Sequence, residues 1–300
     1  MPPAAESESS VGEGSSAAET ARGLLELVRP GNVVSAGVLT FTGSFVAAGL
    51  FASPSHVLAA VLATVFATGA GNAVNDYFDR EIDTINRPDR PIPRGAVSPR
   101  EAFAFSVALF LGAVVCAVTL PVEALLIAVV NLVALVAYTE YFKGLPAVGN
   151  LVVGYLTGST FLFGAAAVDS TFDPNVLVLF GLAALATFTR EVVKDVEDLE
   201  GDREEGLSTL PIVVGERRAL GVGVAAMVVA VVASAYPYVD GVFGVAYLAL
   251  VVPADLVMLI ACVRSFRNPS LAQRRLKHGM LLATAAFIAG RLLLSPGPVG

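Results

Sequence analysis

Apolar stretches of roughly 20 residues recur along the whole chain, separated by short polar breaks, and each is long enough to cross a ~30 Å hydrocarbon core. Turn signals and the polar breaks place nine helical spans at about 33–52, 56–77, 101–120, 122–141, 147–168, 175–195, 218–237, 241–264 and 276–295. Pro54, Pro121, Pro146, Pro174 and Pro237 fall at or near the junctions, where a helix ends at little cost. Strands alternating over ten residues, as a membrane barrel requires, are not visible in the pattern. A backbone surrounded by lipid must satisfy its own hydrogen bonds, so the spans read as helices. The expectation is an all-α, polytopic membrane protein with nine transmembrane helices.

Composition agrees. Hydrophobic residues make up 55% of the 300, charged residues 15%, and mean hydropathy is +0.74; a soluble domain carries about 25% charged residues. Residues 1–20 depart from the rest. Ser, Glu, Ala and Gly dominate there, a composition that cannot bury enough surface to fold, so 1–20 reads as a disordered acidic tail and 21–300 as a single transmembrane domain. The tail lacks the basic start and apolar segment of a signal peptide. Together with acidic loop residues such as Asp202, Glu204 and Glu205 it suits a salt-loving host. A net charge of −7 with pI near 4.9 argues against nucleic acid as a partner. Cys116 and Cys262 both lie inside apolar runs and read as small buried hydrophobes, and His56 and His278 have no companion at zinc-ligand spacing.

With nine spans, the N-terminus and all the long polar loops, including 78–100 and 196–217, share one side. Every Lys and Arg except Arg291 lies on or next to that side, whereas the opposite links contain Asp169, Asp173 and Asp240 but no basic residue. The bias of Lys and Arg toward cytoplasmic loops places the N-terminus and the long loops in the cytoplasm of a multi-pass cell-membrane protein.

Two acidic clusters carry the chemistry. The second span ends in Asn72-Ala73-Val74-Asn75-Asp76-Tyr77-Phe78-Asp79-Arg80-Glu81-Ile82-Asp83, where Asp76, Asp79 and Asp83 stand at i, i+3, i+7 on one helical face. The sixth span ends with the same spacing at Asp195, Asp198 and Asp202; Asn72 and Glu191 stand four residues before the two triplets. Spans two and six run in the same direction, so both clusters emerge on the long-loop side, and the recurrence hints at an internal duplication. Like charges this close repel, and at helix C-termini they also oppose the macrodipole, unless cations neutralise them. Carboxylates without histidine or thiolate select a hard cation, and Mg²⁺ characteristically binds through one or two carboxylates plus substrate phosphates. The bland alternative, solvated acidic loop ends, weakens once the same spacing appears twice on one side.

At these residues the chain resembles the UbiA family of intramembrane prenyltransferases, whose two signatures match Asn75-Asp76-x-x-Asp79-x-x-x-Asp83 and Asp195-x-x-Asp198-x-x-x-Asp202. The likeness covers roughly 25–295. It implies a helical bundle around a central cavity capped by cytoplasmic loops, and transfer of an isoprenoid chain from a diphosphate to an acceptor with Mg²⁺ as cofactor. Carried over by position, Asn75, Asp79, Asp83, Asp198 and Asp202 are nearest the metal and diphosphate, with Asp76 and Asp195 as further metal-side or supporting carboxylates. Asn72 and Tyr138 are supporting residues; Lys143 and Arg29 match positions expected to contact diphosphate, and Lys194 joins them. Arg87, Arg90 and Arg94 in the 78–100 loop are candidates to grip an acceptor phosphate, or else topology charges facing anionic headgroups.

A finer resemblance, carried by the run Gly149 to Gly164 and by Arg190 to Gly215 with its Thr209-Leu210-Pro211, is to the archaeal ether-lipid branch of that family. It implies geranylgeranyl diphosphate as donor and geranylgeranylglyceryl phosphate as acceptor, with no obligatory protein partner. Ionisation of the allylic C–O bond followed by attack of a glycerol hydroxyl needs charge stabilisation, orientation and water exclusion more than a strong base, and no base is identifiable. Gly154, Gly158 and Gly164 either open room for isoprenoid chains or permit close helix packing. Two other readings stand: an aromatic, quinone-precursor prenyltransferase of the same family, and a cation-coupled transporter, which would set its carboxylates at the bilayer midplane.

Overall fold

The computed structural model describes residues 16–50 and 52–293, and among them every regular element is helical. The expected disorder of residues 1–15, and the end of the last predicted span at 294–295, lie outside the described residues. The elements are α1 (Ala17–Leu27), α2 (Pro30–Ala48), α3 (Pro54–Phe78), α4 (Arg80–Asn86), α5 (Pro99–Ala117), α6 (Val122–Ala137), a π-helical turn (Tyr138–Phe142), α7 (Val148–Ala166), α8 (Pro174–Glu197), α9 (Leu199–Glu204), α10 (Leu210–Val214), α11 (Glu216–Ser234), α12 (Tyr236–Val239), α13 (Val245–Ser265) and α14 (Pro269–Leu292).

Nine of these helices correspond to the nine predicted spans, but among the described residues only seven combine the length and apolarity needed to cross a membrane. The count of nine is corrected on two helices. Helix α6 has 16 residues and reaches further only through the π-turn that continues it. Helix α14 starts at Pro269, seven residues before the predicted 276, and its first turns carry Arg274, Arg275, Lys277 and His278. Asn268 sets that start: its side chain accepts the Leu271 N–H at 2.9 Å, with Pro269 at the first helical position, two start signals that hydropathy does not register. The N-terminal boundary shifts as well, since α1 starts at Ala17 with Ser16 Oγ accepting the Glu19 N–H.

The described residues pack as two compact units, one from those up to 34 with 65–113, the other from those of 35–64 with those from 114 on. In the first, α1 is amphipathic and lays Gly23 and Leu27 on the segment that follows α4. Leu27, Ala73, Ile92, Val97 and Ala102 form one buried cluster, and a Cβ on Gly23 would stand 2.6 Å from Val97 Cγ2. The 87–98 segment is therefore anchored by its own apolar side chains rather than hung as a free loop.

In the second unit α8 packs against α7 and α11, and α13 against α14. Aromatic rings of Phe243, Tyr247 and Phe287 meet edge-on or tilted in a cluster that also buries Phe161, Val176 and Val251. Close approach, rather than bulk, defines α7. A Cβ on Gly164 would fall 1.9 Å from Thr40 O, one on Gly154 2.7 Å from Ala184 O, and one on Gly158 2.6 Å from Phe180 O. Backbone already fills the space beside all three glycines, so they serve helix packing and open no channel. Large apolar side chains such as Leu111, Val115, Leu126 and Val133 on α5 and α6 remain exposed, as lipid contact demands.

Candidate active site

Each aspartate triplet sits on the same structural device. Helix α3 ends and α4 begins at Asp79, with φ −81° and ψ 2°; α8 ends and α9 begins at Asp198, with φ −90° and ψ 7°. Neither break needs Gly or Pro. The backbone ladder nearly continues across each, Asp79 N–H to Asn75 O (2.9 Å) and Asp83 N–H to Asp79 O (2.8 Å), matched by Asp198 N–H to Lys194 O and Asp202 N–H to Asp198 O, both 2.9 Å. Asp83 and Asp202 are each the fourth residue of the short helix that follows. An aspartate preceding a helix normally caps it, yet neither Asp79 nor Asp198 makes a side-chain cap hydrogen bond. Both are exposed, as is Asn75.

The flanking carboxylates are held. In the first unit Arg29 donates to Asp76 Oδ1 at 2.6 Å, and Arg90 Nη1 donates to Asp76 Oδ1 at 3.0 Å and to Asp83 Oδ2 at 2.5 Å. Asp76 and Asp83 are buried, and one guanidinium nitrogen reaching both establishes that they share a face. Arg29 adopts φ 52°, a left-handed conformation unfavourable for a side-chain-bearing residue, in the sharp turn between α1 and α2. That turn is tied to α3 twice, by Arg29 on Asp76 and by Asn72 Nδ2 donating to Val28 O at 2.8 Å one helical turn earlier. Arg94 pairs with Glu26 at 2.8 Å, and this contact holds the Glu26 carboxyl below its usual value. Arg87 is exposed and has no ion pair among the described residues.

The second unit treats its triplet differently. Asp195 accepts from Asn150 Nδ2 at 2.8 Å and Asp202 from Thr209 Oγ1 at 3.1 Å. Burial pushes Asp202 above the usual carboxylate range, the nearby Asp198 carboxylate adds to that, and the Thr209 hydrogen bond opposes it. The cation beside Asp198 is Lys194, at 3.7 Å with both side chains about half exposed. Glu191 pairs with its neighbour Arg190. Lys143 follows the π-turn that begins at Tyr138 and is exposed. Its turn is joined to the Asp202 side of the unit, because Ser208 N–H donates to Gly144 O at 3.0 Å, one residue from Lys143 and one from Thr209.

The structure thus groups Arg29, Asn72, Asp76, Asp83 and Arg90 in one unit, and Asp195, Asp202 and the Lys143 turn in the other. Asn150 and Thr209 were not singled out from the sequence, although both lie in strings that carry the finer resemblance; no spacing rule assigns them partners 45 and 7 residues away. Among the described residues no three acidic, histidine or thiol side chains converge into a ready-made metal cage. At each break the oxygen-only donor set, with exposed Asp79 in one unit and exposed Asp198 in the other, fits an ion that completes its coordination with phosphate and water.

Long apolar helices, two of them ending in matching uncapped acidic breaks, define an integral membrane protein. The chain belongs to the UbiA prenyltransferase family, whose profile matches residues 36–289, and it is a prenyltransferase. It is 60% identical over 278 residues to the digeranylgeranylglyceryl phosphate synthase of Haloquadratum walsbyi, covering 93% of this chain and 97% of that one. A solved structure concerned with digeranylgeranylglyceryl phosphate synthase in membranes aligns with TM-score 0.77 and 34% identity over 92% of this chain and all of the other. A UbiA homolog from Archaeoglobus fulgidus bound to GPP and Mg²⁺ shares the fold, with TM-score 0.68 at 20% identity over 90% of this chain.

Proposed function

We propose that the protein transfers the geranylgeranyl group of geranylgeranyl diphosphate to geranylgeranylglyceryl phosphate, forming digeranylgeranylglyceryl phosphate and pyrophosphate. The bond between the prenyl C1 and the diphosphate oxygen breaks, its electron pair leaving with pyrophosphate. The acceptor's free glycerol oxygen forms the new ether bond to C1 and releases its proton. Mg²⁺, when bound, neutralises the charge that develops on the departing pyrophosphate.

The repeated helix break carries the reading: two aspartates that forgo capping and remain exposed at matching backbone positions. In the first unit Asp79, with Asn75 and Asp83, and in the second unit Asp198, with Asp202, are the side chains suited to hold Mg²⁺; Asp76 and Asp195 orient the two ends of the long helices. Lys143, Lys194 and Arg87 are exposed cations suited to diphosphate or to the acceptor phosphate, and Arg29, Arg90 and Arg94 support them through the carboxylates they already bind. The similarity to the Haloquadratum walsbyi enzyme supports the acceptor assignment, and the Archaeoglobus fulgidus homolog's ligands support the metal. The basic long loops support a cytoplasmic site.

Mass spectrometry of products from purified protein, geranylgeranyl diphosphate and a choice of glyceryl and aromatic acceptors tests the reading. The expected product is the doubly alkylated glyceryl phosphate, formed only with divalent metal and lost in Asp198→Asn. Alkylation of the aromatic acceptor alone would overturn it.

A further inference from the structure

The two acidic breaks share a backbone but not a counter-ion scheme. In the first, two guanidinium groups are set against three carboxylates, and Arg90 alone reaches both Asp76 and Asp83, with its side chain 17% exposed and theirs 5% and 7%. In the second, Asn150 and Thr209, both neutral, attend Asp195 and Asp202, and Lys194 stands 3.7 Å from Asp198. Asp83 cannot give its inward oxygen to a divalent ion while Arg90 occupies it, because ion and guanidinium would crowd one carboxylate as like charges.

We infer that Arg90 is a positioning residue that acts as an exchangeable counter-ion: it holds Asp83 in the metal-free chain and yields it when the ion arrives, keeping its second hold on Asp76. This rests on the proposed role of the acidic breaks in holding Mg²⁺. The geometry suits an exchange. Asp76 retains Arg29 at 2.6 Å throughout, so the end of α3 stays neutralised while Asp83 changes partner. Arg90 itself stays in place because its segment is fixed by buried Ile92 and Val97 and by the Arg94–Glu26 pair at 2.8 Å, so only the guanidinium has to move. At the second break the competing cation is Lys194, half exposed and 3.7 Å from Asp198, so metal meets the stronger resistance at the first break.

The test uses Mn²⁺ alone, titrated into the full-length detergent-purified protein and followed by the EPR signal of free ion, without substrate or turnover. Arg90→Gln removes the competitor and should bind Mn²⁺ about tenfold more tightly than wild type, the scale by which one neighbouring like charge shifts an ionic equilibrium. Arg90→Lys keeps the charge and should stay within about threefold of wild type. Melting adds a second readout. Without metal Arg90→Gln should melt below wild type, and with saturating Mn²⁺ the gap should close, since the ion takes over the role Arg90 had. A merely structural Arg90 predicts weaker Mn²⁺ binding and a gap that metal leaves open, and either result overturns the exchange. Failure of wild type to bind Mn²⁺ in a manner lost in Asp198→Asn would instead overturn the reading of the acidic breaks themselves.

Discussion

Asp76 and Asp79 lie three residues apart at one helix end, and the structure gives them opposite surroundings. Asp76 is a buried acceptor for two guanidinium groups, and Asp79 is an exposed side chain with no cap bond to make. Replacing each by asparagine preserves size and removes charge. In Asp76→Asn an amide oxygen in the Oδ1 place still accepts from both guanidinium groups, but the negative charge that paired with them is gone. Breaking a buried ion pair by removing one partner costs about 3–5 kcal/mol. The Arg29 side chain is 37% exposed, so solvent screens that share, whereas Arg90 at 17% is better shielded; the lower end, about 3 kcal/mol, is expected.

Asp79→Asn touches no partner and should stay within about 0.5 kcal/mol of wild-type stability. On the proposed role of Asp79, its cost falls on the reaction. Loss of one preorganised charge that serves the leaving group should lower kcat by about 10²–10³. Circular dichroism melts of metal-free protein and pyrophosphate release at saturating Mg²⁺ measure the two costs separately. Equal destabilisation by both variants, or an Asp79→Asn rate within threefold of wild type, would refute the division of roles.

Gly164→Ala should destabilise by about 1–3 kcal/mol, because its Cβ would lie 1.9 Å from Thr40 O and no rotamer change moves a backbone carbonyl, whereas Gly181→Ala on α8, with nothing within 4 Å, should gain about 0.5–1 kcal/mol in the same melts. Ser234→Ala should cost about 1–3 kcal/mol, since Ser234 Oγ reaches Asp255 Oδ2 at 2.7 Å in the apolar interior of the second unit and the carboxyl would lose that partner. Glu26 has its pKa depressed chiefly by the hydrogen bond from Arg94, so its contribution is present above the ordinary value of 4.5 and is lost as pH falls through the lowered one. Glu26→Gln should therefore remove the acid-side part of the stability profile of α1, read as proteolysis at the α1–α2 turn against pH; an unchanged profile would contradict the pairing.

The apolar helices were legible because each is set by local composition, and the aspartate triplets because their spacing is local too. The breaks at Asp79 and Asp198 were not, since neither carries Gly or Pro and the hydrogen-bond ladder almost continues through them. Arg29 reads from sequence as a phosphate ligand; its bond to Asp76 joins residues 47 apart, which no periodicity predicts. A separation of 45 residues likewise hid the bond between Asn150 and Asp195, inside a string read only as carrying the finer resemblance. Gly154, Gly158 and Gly164 were ambiguous between packing and passage until the positions of neighbouring carbonyls decided for packing. The start of α14 was missed because hydropathy locates the apolar middle of a helix and is blind to a polar first turn capped by Asn268.

The helix break also resolves a difficulty that the spacing alone creates. Carboxylates gathered at a helix C-terminus oppose its dipole, so two triplets placed there look costly. In the structure only the first member of each triplet, Asp76 or Asp195, lies in the last turn of a long helix, and these two receive direct donors from Arg29 and Arg90 or from Asn150. The third members, Asp83 and Asp202, fall in the first turn of a new helix, where negative charge is favoured. The middle members stand where one helix closes and the next opens, so the two end charges oppose each other there. A carboxylate at that point needs neither a donor nor a cap to be tolerated, and for that reason Asp79 can stay exposed and uncapped and Asp198 with no closer partner than Lys194, 3.7 Å away.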